Sequence, residues 1–324
     1  MMPLSLEKKP DALFGQEPLV LVCAADNLYA MPLAVTVRSA LENLKSDQQI
    51  ILFILDGGIK DRNKRKILNS LSSEKCEVTF LSVSGSLVEG IENRHFETGT
   101  KHLPIVAYYR LLIPDLLPDH YEKVVYLDCD LVVKGDLGQL WQINLEEHYA
   151  LAVQDMWTHS VSHPAGLLNY QALGIPSDAK YFNSGVLVIN LKKWRADQIS
   201  AKAIDYLQHN REYVRWHDQD VLNALLAGQW GELDPRWNVN IFLFNGDSAQ
   251  KNSPFSDDVY NDIVRDPYII HFTSEDKPWV SPHAPCKEHF FHFVDLTSWS
   301  GWRPTRWTRL WMKLVRKVQK ITLK

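Results

Sequence analysis

Asp128 and Asp130 stand one residue apart, directly after the apolar run Val124-Val125-Tyr126-Leu127. Alternate residues of an extended chain point to the same side, so two carboxylates at this spacing converge. Like charges held so close repel unless a cation lies between them. Carboxylate oxygens suit hard divalent ions, whose coordination shell a diphosphate can complete. His271, within Tyr268-Ile269-Ile270-His271-Phe272, offers a nitrogen ligand that favours Mn²⁺ over Ca²⁺ or Mg²⁺. The bland reading of an Asp-x-Asp pair is a solvated turn, but four apolar residues in front of it place it at the end of a buried strand. Lys277 lies six residues beyond His271 and Pro278 stiffens that segment, so one loop can carry a cation and a metal ligand over a single diphosphate.

Three further places combine polar groups with apolar runs. Asn183-Ser184-Gly185 precedes Val186-Leu187-Val188-Ile189 and reads as a corner before a strand, where the Asn amide either bonds a hydroxyl or caps the turn. Gly185 there permits close backbone approach. His217-Asp218-Gln219-Asp220 precedes Val221, Leu222, Leu225 and Leu226, whose spacing is helical. Acids in a first turn suit the helix dipole, and the same helix end can aim a carboxylate and an amide into a crevice. Gln154-Asp155 follows Ala150–Val153, another short apolar run.

These groups need a frame. Leu19–Ala25 is short, apolar and β-branched, stops at Asp26, and is followed by helical spacing through Leu33, Val37, Leu41 and Leu44. The pattern returns with a strand over Ile50–Leu55 ending at Asp56, a polar helix over 61–72 and a strand over Glu77–Val83. Lys123–Leu127, Ala150–Val153, Gly185–Leu191 and Tyr268–Phe272 are further buried strands. Alternating strands and helices predict an α/β protein with a parallel sheet covered by helices. In such a sheet the ligand crevice lies outside the carboxyl ends of the strands, where Asp26, Asp56, Asp128, Asp130, Asp155 and His271 all fall.

Composition narrows the classes. The chain has 324 residues, 45% hydrophobic and 23% charged, enough to bury a large core. Four scattered cysteines exclude a disulfide scaffold or a paired-CxxC zinc module. No apolar run reaches the roughly 18 residues that span a bilayer. Lys8, Lys9, Asp11 and Glu17 stand where a secretion signal would be apolar, so a cytoplasmic protein with reduced thiols is expected. Residues 297–324 hold eight Lys and Arg and no acid, leaving 27 basic against 39 acidic residues in 1–296. An acidic body is a poor nucleic-acid surface, and no nucleic-acid partner is expected.

Six ordered segments together make the chain resemble glycosyltransferase family 8, the retaining nucleotide-sugar transferases. They are Cys-Ala-Ala-Asp-Asn-Leu-Tyr at 23–29, Tyr-Tyr-Arg-Leu at 108–111, Val-Val-Tyr-Leu-Asp-Cys-Asp at 124–130, Tyr-Phe-Asn-Ser-Gly-Val at 181–186, His-Asp-Gln-Asp at 217–220 and His-Phe-Thr-Ser-Glu-Asp-Lys-Pro-Trp at 271–279. The resemblance implies a GT-A fold, a Rossmann-like mixed sheet flanked by helices, over residues 18–296, behind an N-terminal extension, 1–17. It implies a UDP-sugar donor and Mn²⁺, with Mg²⁺ as the alternative. Asp128, Asp130 and His271 would be the metal ligands; Ala25, Asp26 and Tyr29 would surround the uridine, and Lys277 would hold the diphosphate. Arg110, Asn183, Asp218 and Gln219 match the family's sugar-binding and catalytic positions, with Gln219 nearest the reacting face. Leu28 stands where galactosyltransferase-type relatives carry Asn, and Ser274 where Gly is common.

A retaining outcome needs same-face attack or a covalent intermediate. Gln219 is an amide, so front-side attack is expected, with Asp155 or Asp220 as the alternative nucleophile. From Trp307 to Ile321 the apolar residues form a helical stripe bordered by Arg309, Lys313, Arg316, Lys317 and Lys320. This basic, Trp-bearing tail (297–324) predicts a peripheral helix on an anionic membrane surface, the contact falling in 303–324; docking on the acidic body is the alternative. A membrane-held enzyme would meet a saccharide or lipid-linked saccharide acceptor of the cell envelope. Nucleotide-sugar hydrolysis, nucleotidyl transfer and non-catalytic carbohydrate binding are the competing functions.

Overall fold

The computed structural model describes residues 17–307 and 310, apart from 46, 84–104, 252 and 274–276. Among the described residues ten strands form two sheets. The strands are β1 (Leu19–Ala25), β2 (Ile50–Asp56), β3 (Cys76–Ser82), β4 (Lys123–Leu127), β5 (Leu131–Val133), β6 (Ala150–Gln154), β7 (Phe182–Asn190), β8 (Trp230–Glu232), β9 (Val239–Asn240) and β10 (Ile269–His271).

The large sheet runs β3-β2-β1-β4-β7-β6-β8. β1 to β4 are mutually parallel, while β7 is antiparallel to both β4 and β6. The expected all-parallel arrangement is thus corrected to a mixed sheet, the form the family resemblance implied. β1 and β2 are buried almost throughout, which is why they read as continuous apolar runs rather than alternating ones. Strand order reverses between β1 and β4, which opens a crevice beyond their carboxyl ends.

β7 departs furthest from expectation. It begins at Phe182, so Asn183, Ser184 and Gly185 lie inside the strand and not at a corner before it. Ala152 pairs with Leu187 but Val153 pairs with Asn183, so Ser184, Gly185 and Val186 have no partner on β6. The three residues buckle toward β4, where Asp128 N donates to Gly185 O at 2.8 Å.

The small sheet, β5-β10-β9, sets His271 opposite Leu131 on β5 and Asn240 on β9. The helix Ala30–Asn43 clamps this sheet to the large one through buried hydroxyls. Thr36 Oγ1 accepts from Leu131 N at 3.2 Å and lies 3.0 and 2.9 Å from the carbonyl oxygens of Cys129 and Leu131. Ser39 Oγ accepts from Val133 N at 2.8 Å. Cys129 is thereby turned inward, its Sγ on Ala24 O, and the carboxylates on either side of it face the crevice.

The chain after the helix Lys287–Val294 stays on the body for several residues. Ser298 N donates to Ser70 Oγ, Lys66 lies over the Trp299 ring, and Arg303 pairs with Asp295. Trp307 and Leu310 are exposed, and most of the basic stripe falls outside the described residues. Among those described, no helix is long and apolar enough to cross a membrane.

Candidate active site

A cleft of about 560 Å³ opens at the carboxyl ends of β1 and β4. Twelve residues singled out in the sequence line it: Ala25, Asp26, Tyr29, Arg110, Asp128, Asp130, Asp155, Asn183, Asp218, Gln219, His271 and Lys277. Asp56 and Asp220 do not. Asp56 builds its own turn, accepting from Gly58 N and Ile59 N and pairing with Lys64. Asp220 is fully buried behind the cleft, its oxygens taken by Tyr181 Oη and the backbone N–H groups of Arg215 and Trp216, so the nucleophile role held open for it is withdrawn.

One oxygen or nitrogen atom from each of Asp128, Asp130 and His271 lies within 4.8 Å of the others. His271 Nε2 is 3.2 Å from Asp130 Oδ1 and 3.8 Å from Asp128 Oδ2. Lys277 Nζ bonds Asp130 Oδ2 and Phe272 O. Burial alone would raise the Asp130 carboxyl, but the Lys277 ammonium and the His271 imidazole outweigh it and hold the group well below the usual carboxylate range. The residues fit a divalent cation in two respects. Two carboxylates and an imidazole nitrogen form a mixed oxygen and nitrogen donor set. Gly185 borders the cluster so closely that a Cβ there would lie 2.3 Å from His271 Cε1 and 2.9 Å from Asp128 Oδ2, so any side chain would displace the ligands.

Beside this cluster, Arg110, from the 3-10 helix Ile105–Leu112, is buried between two acids. Its Nη2 donates to Asp128 Oδ1 at 2.7 Å, its Nε meets Asp218 Oδ2 at 2.9 Å, and its plane lies over the Tyr126 ring. Tyr126 Oη donates to the same Asp128 oxygen at 2.9 Å. Burial pushes the Asp218 carboxyl up to about 6 despite Arg110 beside it.

Asp218 and Gln219 open the helix Asp218–Leu226, whose preceding residue His217 has φ 54° and ψ −129°. That backbone region favours glycine, and Asp220 holds it by binding the two preceding N–H groups. Gln219 Oε1 accepts from Ser184 N at 3.1 Å, and its Nε2 points at Asp155 Oδ2 from 3.5 Å. Asp155 also accepts from Trp157 N, Thr158 N and Asn183 Nδ2. At the other end, Asp26 Oδ1 accepts from Leu28 N and Tyr29 N, and Tyr29 meets Trp279 edge to face. Leu28 does not line the cleft, and Ser274 lies outside the described residues.

Several lining groups escaped the sequence reading. Trp157, Trp216 and Phe242 line the mouth yet are exposed, the first and last with ring centroids 6.0 Å apart. His217, named in the sequence only as the start of the 217–220 segment and given no role, also lines the cleft, its Nδ1 3.1 Å from Tyr108 Oη. Asn238 supports His271 from behind. Trp157 follows Asp155 by two residues and was within reach; nothing in the pattern around Asn238 marks it.

A mixed sheet with a cation-ready acid pair after its fourth strand, opening on a cleft lined by Arg110 and Asp218, has the architecture of the GT-A glycosyltransferases, a class that takes a nucleotide-sugar donor and a saccharide acceptor. Residues 20–282 match the model for Glycosyl transferase family 8, and the chain belongs to that family. It is 30% identical over 291 residues to the General stress protein A of Bacillus subtilis (strain 168), covering 88% of this chain and 96% of that one. It is 26% identical over 299 residues to a lipopolysaccharide 1,2-glucosyltransferase of Escherichia coli, covering 91% and 84%. Its fold matches a crystal structure of the galactosyltransferase LgtC in complex with donor and acceptor sugar analogs, with a TM-score of 0.72 at 27% identity over 89% of this chain and 99% of that one.

Proposed function

We propose that the protein moves a hexose, glucose or galactose, from a UDP-sugar to a saccharide of a cell-envelope glycan such as lipopolysaccharide, with retention and with Mn²⁺ as the cation. The observation that carries this reading is the cluster Asp128, Asp130 and His271 sharing one cleft with Arg110, Asn183, Asp218 and Gln219. A cation held by the three ligands would supply charge neutralisation for the departing diphosphate, so no protein acid has to protonate the leaving group.

The chain's own residues do the rest. Ala25, Asp26 and Tyr29 receive the nucleoside end. Lys277 adds a second positive charge beside the diphosphate and stays protonated, since the pull of Asp130 outweighs the effect of burial. Arg110 fixes Asp128 on one side and Asp218 on the other, so the metal ligand and the group that grips donor hydroxyls move together. Asp155 carries hydrogen bonds from two backbone N–H groups and the Asn183 amide, with Gln219 approaching as well, which weakens it as a nucleophile and suits it to orienting Gln219. That supports front-side attack: the acceptor oxygen bonds the anomeric carbon on the face the diphosphate leaves, and the acceptor proton passes to the departing phosphate oxygen. Trp157, Trp216 and Phe242 offer apolar faces on which a saccharide acceptor can stack at the mouth.

A panel of UDP-hexoses tests this by UDP release. One or two donors should give slow release with Mn²⁺ that chelation abolishes and a saccharide acceptor accelerates. Release that is indifferent to metal across the whole panel would overturn the metal reading.

The same proposal places the protein on the inner face of the cytoplasmic membrane, where a basic tail helix would meet a lipid-linked acceptor, each basic residue adding about 1 kcal/mol near an anionic surface. The exposure of Trp307 and Leu310 supports this. Removing residues 307–324 keeps the Arg303–Asp295 pair and should abolish sedimentation with anionic vesicles while sparing turnover of a soluble acceptor; unchanged sedimentation refutes it.

A further inference from the structure

Asn238 ends the 3-10 helix Pro235–Asn238, is buried, and does not line the cleft. Its amide nevertheless joins both ends of the site. Asn238 Oδ1 lies 2.8 Å from His271 Nδ1, and Asn238 Nδ2 donates to Asn183 Oδ1 at 2.9 Å. Asn183 Oδ1 accepts from Gly185 N at 3.0 Å as well, and Asn183 Nδ2 donates to Asp155 Oδ2 at 3.1 Å.

The polarity of this series is not free. A backbone N–H only donates and a carboxylate only accepts, so Gly185 and Asp155 together fix which end of the Asn183 amide is oxygen. The Asn183 oxygen then demands an NH₂ from Asn238, which leaves the Asn238 oxygen for His271. That oxygen only accepts, so the imidazole carries a hydrogen on Nδ1 and leaves Nε2, which faces Asp128 and Asp130, as the nitrogen a cation would take. The tautomer a metal ligand requires is therefore dictated from Asp155, the carboxylate beside Gln219 at the far side of the cleft.

We propose that Asn238 is a positioning residue that, through Asn183, sets the tautomer of His271 from Asp155 and so couples the cation end of the cleft to its sugar end. The inference rests on the metal reading above. Partners behind a metal-bound histidine typically change metal affinity or activity by about 10- to 100-fold when removed.

Two variants separate the two bonds of the amide. Asn238→Leu keeps the volume and loses both. Asn238→Asp still accepts from His271 Nδ1–H but has no hydrogen for Asn183. Mn²⁺ titration followed by electron paramagnetic resonance, without nucleotide, should show a loss of about tenfold or more for Asn238→Leu and near-native affinity for Asn238→Asp. In steady-state assays Asn238→Asp should still lose about tenfold or more in kcat, because Asn183 and Asp155 have lost their setting. Native Mn²⁺ affinity in Asn238→Leu, or equal losses of affinity in both variants, would overturn the proposal. Imidazole ¹⁵N shifts in the metal-free protein give an independent readout at Nδ1, whatever Nε2 carries: a hydrogen there for the native chain and Asn238→Asp, a mixture for Asn238→Leu. An Nδ1 without hydrogen in the native chain refutes the coupling. If the native chain binds no Mn²⁺, the function reading fails, while these shifts still decide the tautomer.

Discussion

The two ends of the cleft are built on opposite terms. At the cation end, Asp130, His271, Lys277, Arg110 and Asp218 are all at most 8% exposed, and each is bonded to another member of the site or to backbone. At the mouth, Trp157 is 61% exposed, Trp216 49% and Phe242 39%. Buried charges persist only when fully paired, so the inner end has little freedom to vary. Exposed aromatics owe the fold little; Trp216 is tethered by Nε1 on Ala165 O, but its face is open. Conserving a leaving-group chemistry while changing an acceptor is easy in such a molecule, since the two tasks draw on groups with different obligations.

The comparison predicts steep losses inside and shallow ones outside. Asp130→Asn removes a ligand and strands Lys277 without its acid, so metal-dependent turnover should fall about a thousandfold or more; retained turnover in a variant with native melting would erase the distinction. Gly185→Ala pushes a methyl into His271 and Asp128 and should weaken Mn²⁺ binding at least about tenfold, which calorimetry would detect. Trp157→Ala and Trp216→Ala should each raise acceptor KM about three- to tenfold while acceptor-independent UDP release stays native. If release falls as far as transfer, the rim belongs to the donor side and the division is wrong.

A gentler probe uses pH. Because burial raises Asp218 to about 6, the group is a carboxylate paired with Arg110 above that pH and neutral below it. Donor binding by the metal-free protein should therefore weaken as pH falls through about 6. The charge of Asp128 is among the causes of the rise, so Mn²⁺, by cancelling it, should move the midpoint down. A titration with UDP-sugar at several pH values checks this, and a midpoint indifferent to Mn²⁺ would detach Asp218 from the cation end.

Asp26, Asp128 and Asp130 were legible in the sequence because they follow directly where strands stop, whereas Arg110, on a 3-10 helix, entered only through the family resemblance. Leu19–Ala25, Ile50–Asp56 and Lys123–Leu127 are apolar runs with an abrupt polar end, and Asp26 and Asp128 inherit their place from them. β7 was misjudged at its start because Asn183-Ser184-Gly185 has turn composition; only pairing with neighbouring strands makes it sheet. Asp220 looked equal to Asp218 in the sequence, and helical geometry separated them, sending one into the cleft and the other into the loop behind it. Asn238 and the aromatic rim were invisible for another reason. Their partners, His271 and Asn183 in one case and the open cleft in the other, lie far along the chain, and no local period reports such contacts.

The three residues of β7 that have no partner on β6 carry a last consequence. Ser184 touches Arg110 and Asp218, Gly185 leaves the space a cation would need, and Val186 returns the strand to register. Excising the kink would cost nothing on β6, but on β4 it would remove the Val186–Leu127 pair and the bond from Asp128 N to Gly185 O. The same three residues thus brace the strand that ends at Asp128 and shape the cleft beside it, so scaffold and chemistry cannot be edited apart at this point.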